Sequence, residues 1–124
     1  MELIENKDGT SNIIKSIHPD RIIINDKTLT ETCIVSNNNI IKSLNIGSID
    51  DLLEVHIQHL LSSNPELILI GSGINHIFPN INLLGPIAKN NIGFEVMNNH
   101  SATRTYNVLV AEHRKVACLL IIKS

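Results

Sequence analysis

The chain has 124 residues with no Trp, one Tyr and two Phe. So few rings leave little to stack on bases, and a formal charge of −2 gives no long-range pull toward nucleic acid or an anionic membrane. Neither partner is expected. The opening MELIENKDGT carries charges and lacks the apolar core of a secretory signal. No run reaches the ~18 apolar residues that a membrane-spanning helix needs. Only two Cys are present, Cys33 and Cys118, far apart and outside any CxxC pair. They read as reduced core thiols of a cytoplasmic protein. Cys118 also lies within VACLLII, where burial raises a thiol's pKa.

Hydrophobic residues make up 43% of the chain and charged residues 18%, a balance typical of soluble globular proteins. The length suits one domain over 1–124 that buries its core without metal or disulfide, with residues 1–11 frayed. Ile and Asn are abundant; both have A/T-rich codons, so their excess reads as genome bias in a low-GC organism.

NIIKSI and RIIIND are short β-branched runs parted by His18-Pro19-Asp20, and LTETCIV follows Asp26-Lys27. Together they predict an antiparallel hairpin or meander. Asn37-Asn38-Asn39 reads as a turn and IIKSLNI as a further short strand. From Ser48 the period becomes helical, predicting a helix over 49–62 that Pro65 terminates. ELILI at 66–70 is a strand covered on both faces. A short helix within 81–90 and the strand IGFEVM follow; Ile92, Phe94 and Val96 share one face of that strand, and Gly93, Glu95 and Met97 the other. Ser101 is the expected N-cap of a helix running to about 113, with Ala102, Tyr106, Leu109 and Val110 as its apolar stripe. KVACLLII closes the chain as a strand. The alternation predicts an α/β fold whose sheet carries crossover helices and some parallel strands, joined by right-handed connections.

Three stretches carry groups able to do chemistry. In LILIGSG at 67–73, Gly71, Ser72 and Gly73 could admit a phosphate to the backbone. His76 stands where a dinucleotide fingerprint needs its third Gly, so a tight turn bounding a small crevice is the expectation. His56, His59 and His76 lack convincingly spaced partners, so a metal site is not expected. In EVMNNHSATRTYN, Glu95 at a strand end could meet Arg104 in the next helix. Tyr106, Asn107, Glu112 and Arg114 add a hydroxyl, an amide, a second carboxylate and a second guanidinium. Such a set could clamp an anion, or it could be an internal network pinning the helix to the sheet. Ser101 beside His100 lacks the Gly-x-Ser-x-Gly elbow of a serine nucleophile.

The segments PELILIGSG and IGFEVMNNHSATRTYNVLVAEHRKVACLLI resemble a family of small α/β proteins of largely unassigned biochemistry. Its eukaryotic members include the mitochondrial assembly factor 3 of respiratory complex I. The matching positions are Pro65, Glu66, Gly71, Gly73, Gly93, Glu95, Met97, Ala102, Arg104, Thr105, Tyr106, Asn107, Glu112 and Arg114. His113 departs from the small residue usual there, commonly Gly, and Asn98-Asn99 from an acidic or Thr residue. The resemblance implies a three-layer α/β fold with a mixed, partly parallel central sheet, crossover helices and an N-terminal β ribbon and, for the mitochondrial relatives, work by protein contact during complex assembly. Two functional expectations result. One is a non-enzymatic, assembly-factor-like protein with a protein partner and no cofactor. The other is a binder or enzyme for a small carboxylate or phosphate compound, held near Gly71–Gly73 and Arg104. A homodimer is compatible with either.

Overall fold

The computed structural model describes residues 1–123. Its Ile-rich runs form strands because β-branched side chains suit a pleated, half-buried surface. These strands are β1 (Glu2–Glu5), β2 (Ile14–Ile17), β3 (Ile22–Ile24), β4 (Lys27–Leu29), β5 (Cys33–Ser36) and β6 (Asn39–Lys42). After helix α1 (Glu54–Leu61) come β7 (Leu67–Gly71), α2 (Gly85–Lys89), β8 (Gly93–Met97), α3 (Asn99–Ala111) and β9 (Val116–Leu120). Two 3₁₀ turns, Ile49–Asp51 and Ile81–Leu84, precede α1 and α2.

Six strands make a mixed sheet in the order β1-β6-β5-β9-β7-β8, while β2-β3-β4 form a separate antiparallel ribbon. Strands β9, β7 and β8 run parallel, and the other neighbours in the main sheet are antiparallel. The period-two alternation divides the core. Ile34, Ile68, Ile70, Val96, Ala117 and Leu119 face α1 and α2. Cys33, Val35, Leu69, Val116, Cys118 and Leu120 face the other way, where α3 supplies Ala102, Tyr106 and Val110 and the ribbon supplies Ile14, Ile22 and Ile24. Phe94 packs on the first face and Met97 on the second, as the strand's alternation implied.

The N-terminus departs from the frayed start. Glu2–Glu5 pairs antiparallel with β6 at the edge of the main sheet, and Ile4 packs against the second core. The run LTETCIV is not one strand. Its first residue closes the ribbon in β4, and the chain then crosses to begin β5 in the main sheet.

The helix expected over 49–62 is interrupted. Leu52 and Leu53 are extended, so a 3₁₀ turn and α1 stand in series. The Leu53 N–H donates to Nδ1 of buried His56 at 2.9 Å, and Nε2 of that ring lies 3.0 Å from the Leu44 carbonyl. An accepting Nδ1 and a donating Nε2 define one neutral tautomer, so this histidine is a backbone brace.

Helix α3 is capped by Asn98 rather than Ser101. The Asn98 Oδ1 accepts from the Ser101 N–H at 2.9 Å, the reach an N-cap makes to the third helical residue. At the other end His113 N–H donates to Val110 O and Arg114 N–H to Leu109 O, closing a Schellman motif. That motif needs a left-handed residue, and His113 has φ +64°. A glycine, the small residue expected here, adopts this φ without a Cβ penalty, and His113→Gly should stabilise the fold by about 0.5–1 kcal/mol, read as a raised urea midpoint.

Burial lifts the Cys33 thiol from 9.0 to about 12, aided by the Glu31 charge. Cys118 moves the same way, through burial and its neighbour Cys33. A native-state pKa above the unfolded value means the unfolded chain releases these protons first as pH rises. The stabilisation is complete below about pH 9 and is lost between there and pH 12. Urea midpoints should therefore fall from pH 8 to pH 10.5. Neither thiol should react with a disulfide reagent in native protein at pH 8, and both should react once urea unfolds it.

Candidate functional site

Helix α3 presents the expected apolar stripe to the sheet, and this buries the one Tyr of the chain. The Tyr106 hydroxyl donates to the Asn12 carbonyl at 2.9 Å in a buried setting. Burial, and then the charge of Cys118, push its phenol further above the ordinary range. It cannot serve as a proton carrier near neutral pH. The adjacent Asn107 offers both ends of its carboxamide to one residue: Nδ2 donates to Ile14 O at 2.8 Å, and Oδ1 accepts from Ile14 N–H at 3.0 Å. This copies the exchange between paired strands and fastens β2 to α3.

The charged members of the stretch do not converge. Glu95 lies on the exposed edge strand β8, on the α3 side of the sheet. Arg104 follows buried Ala102 and Thr103, so the helical turn carries its side chain outward. Neither makes an ion pair or a side-chain hydrogen bond among the described residues, and the expected contact between them is not formed. Glu112 is exposed at the C-cap of α3. Arg114 pairs instead with Glu66, Nε to Oε1 at 2.9 Å, and the Lys115 N–H also reaches that carboxylate. These contacts hold the Glu66 carboxyl below its usual range, the Arg114 hydrogen bond first among them. The exposed ion pair joins the entrance of β7 to the connection between α3 and β9.

At the other end of β7 the glycines have separate reasons. A Cβ on Gly71 would stand 2.6 Å from Asn99 Oδ1 and 2.8 Å from the Leu119 carbonyl, so only hydrogen fits. Gly73 has φ +106°, which a side chain would strain. Between them, the Ser72 hydroxyl donates to Asn75 O at 2.6 Å and accepts from Ile77 N–H at 3.0 Å, tying the following loop back on itself. Asn99 is buried and fully engaged: its Oδ1 accepts from Gly73 N–H at 3.0 Å, and its Nδ2 donates to Ile121 O at 2.7 Å.

Beside this junction lies a cavity of about 480 Å³ at the carboxyl ends of β7, β8 and β9. Ser72 and Gly73 line it, as the expected crevice requires, and Gly71 sits behind them. Glu95, Arg104, Tyr106, Asn107, Glu112 and Arg114 do not line it. Among the described residues, its titratable lining groups are His18, Asp50, His100 and Lys123, from four distant segments. Sequence reasoning passed over Asp50 and Lys123 entirely; His18 figured as a turn residue and His100 as a poor companion for Ser101. Only the Gly-Ser-Gly after an uninterrupted strand signalled the place.

The model of a family described as "Protein of unknown function (DUF498/DUF598)" matches residues 14–121. The chain belongs to this family. A relative from Francisella tularensis subsp. holarctica, named 13 kDa major membrane protein, is 31% identical over 98% of this chain and 99% of its own length. The Xenopus tropicalis NADH dehydrogenase [ubiquinone] 1 alpha subcomplex assembly factor 3 is 30% identical over 87% of this chain, which spans 60% of that protein. A solved structure from Bordetella parapertussis superposes with a TM-score of 0.85 at 22% identity, covering 94% of this chain and all of the other, and it bears out the fold. Among the described residues, no helix is long and apolar enough to cross a membrane.

In this DUF498 chain the Tyr106-Asn107 pair and Arg104 should behave oppositely when substituted. Asn107→Leu orphans the Ile14 N–H and carbonyl and should cost about 2–4 kcal/mol. Tyr106→Phe removes one buried hydrogen bond and should cost about 1–2 kcal/mol. Arg104→Ala, on an exposed face, should stay within about 0.5 kcal/mol of the parent. Urea denaturation of the three variants distinguishes these outcomes.

Proposed function

We propose that this chain is a non-enzymatic, cytoplasmic interaction protein of the assembly-factor kind, acting in the formation of a respiratory complex. The observation that carries the reading is the relationship to the Xenopus assembly factor, which extends over 87% of the chain. A feature of the surface supports it. Ile74, Ile77, Phe78 and Ile81 are all exposed within eight positions of the connection from β7 to α2. Scattered exposed apolar residues are ordinary, but four clustered on one connection favour a partner that covers them. The connection is also held in shape. Beyond the Ser72 bonds, His76 Nε2 lies 2.9 Å from the Val96 carbonyl on the free side of edge strand β8, and its ring meets Phe78 edge to face. A patch already ordered loses little entropy when it docks.

A second copy of the chain is the competing occupant of the patch. Sedimentation of the purified chain as a monomer at tens of micromolar favours a different protein.

Deleting the gene in the source organism should lower the amount of assembled NADH dehydrogenase on native gels, and crosslinked capture of tagged chain should recover its subunits. Restoring the gene with Phe78→Ser and Ile81→Ser together should fail to rescue assembly, while the purified double variant melts within about 2 °C of the parent. Normal assembly in the deletion strain would refute the proposal. The chain should fractionate with the cytosol; retention in membranes after alkaline carbonate extraction would overturn the location.

A further inference from the structure

We infer that the cavity at the carboxyl ends of β7, β8 and β9 binds a small amphipathic anion, with an apolar body and a carboxylate or phosphate head. The inference stands apart from the assembly role, although Ile74 and Ile77 belong both to the exposed patch and to the cavity wall. Topology supplies its first ground. The connection leaving β7 leads to α2 on one face of the sheet, and that leaving β8 leads to α3 on the other. Adjacent parallel strands whose connections part to opposite faces open a crevice at their carboxyl ends, the usual ligand position in open α/β sheets.

Size and lining supply the second. The volume of about 480 Å³ falls within the roughly 300–1,000 Å³ typical of small-molecule sites. Ile17, Ile49, Ile74, Ile77 and Ile121 give it apolar walls. Among the described lining groups, Lys123 supplies an ammonium and His18 and His100 supply imidazole nitrogens, beside the carboxylate of Asp50. Such walls and rim favour a molecule that buries hydrocarbon and keeps a negative charge near the opening.

Saturation of the floor supplies the third. Ser72 and both ends of the Asn99 carboxamide already engage backbone partners, and the Asn98 Oδ1 caps α3. His100 and Lys123 make no side-chain hydrogen bond among the described residues, so their donors remain for a ligand. The floor is pre-formed, and the rim provides the discrimination.

The test is a ¹H–¹⁵N correlation titration of the full chain at pH 7 with sodium octanoate, octyl phosphate, octylamine, acetate and inorganic phosphate. Octanoate or octyl phosphate should give saturable shifts confined to residues 17–19, 47–50, 72–77, 98–100 and 121–123. The tighter of the two identifies the head group. Octylamine, acetate and inorganic phosphate should bind at least tenfold more weakly. Lys123→Glu combined with His100→Glu should weaken the better ligand tenfold or more without moving the melting temperature. Equal binding of octylamine overturns the anionic head, and equal binding of acetate or phosphate overturns the apolar body. Absence of saturation at 20 mM, or shifts centred on Phe78 and Ile81, overturns the site itself.

Discussion

The double hydrogen bond between the Asn107 carboxamide and the backbone of Ile14 is the contact on which the second face of this molecule depends. Among the described residues the three-stranded ribbon shares no ladder with the main sheet, so it is held by packing, by backbone bonds at its flanks and by side chains that imitate a strand. Asn12 extends the same device: its Nδ2 donates to Ser36 O, its Oδ1 accepts from Asn25 Nδ2, and its own carbonyl receives the Tyr106 hydroxyl. Asn37 repeats it at the start of β9, accepting from Val116 N–H and donating to Arg114 O. A satisfied buried hydrogen bond contributes only about 1 kcal/mol, but an orphaned donor or acceptor costs about 1–3 kcal/mol. The carboxamides therefore act by preventing loss where irregular backbone would otherwise be buried unpaired.

That use of asparagine changes the meaning of the composition. Codon bias can make Asn available, but these placements are physical. Four more non-glycine turns, at Asn25, Asn45, Asn64 and Asn91, take positive φ, a conformation Asn tolerates because its short amide can bond locally. A buried carboxamide bridging two segments leaves no periodic trace, so reading the letters along the chain could not reveal Asn12, Asn37 or Asn99. The regular elements were legible for the opposite reason. Burial on both faces forced LILI and ACLL to be continuously apolar, while Ala102, Tyr106 and Val110 kept helical spacing. Boundaries slipped where a local bond overrode the pattern, as when His56 accepted the Leu53 N–H and delayed α1.

The polar stretch EVMNNHSATRTYN was legible as a junction, and as a junction it functions. Its members divide by helical phase. Asn99, Ala102, Tyr106 and Val110 turn inward, Asn107 reaches sideways to the ribbon, and Arg104 and Val108 turn outward. Residues three or four apart share a face, so a motif spread over consecutive letters cannot converge on one ligand from a single helix. The cavity is instead assembled from five segments that meet only in the folded chain, and of these only the Gly-Ser-Gly turn carries a signal of its own.

Gly71 decides what kind of anion such a cavity can hold. In a nucleotide fold, a glycine after the strand lets a phosphate approach the backbone and collect its N–H groups. Here the Asn99 carboxamide fills the space over Gly71 and already accepts the Gly73 N–H. A charged head must therefore look to side chains at the rim, where water screens the attraction and salt weakens it. Burying hydrocarbon suffers no such screening and contributes roughly 0.8 kcal/mol per methylene. A compact phosphate has too little to bury here, whereas a short alkyl chain with one charge gains most of its affinity from the isoleucine walls and its orientation from the rim.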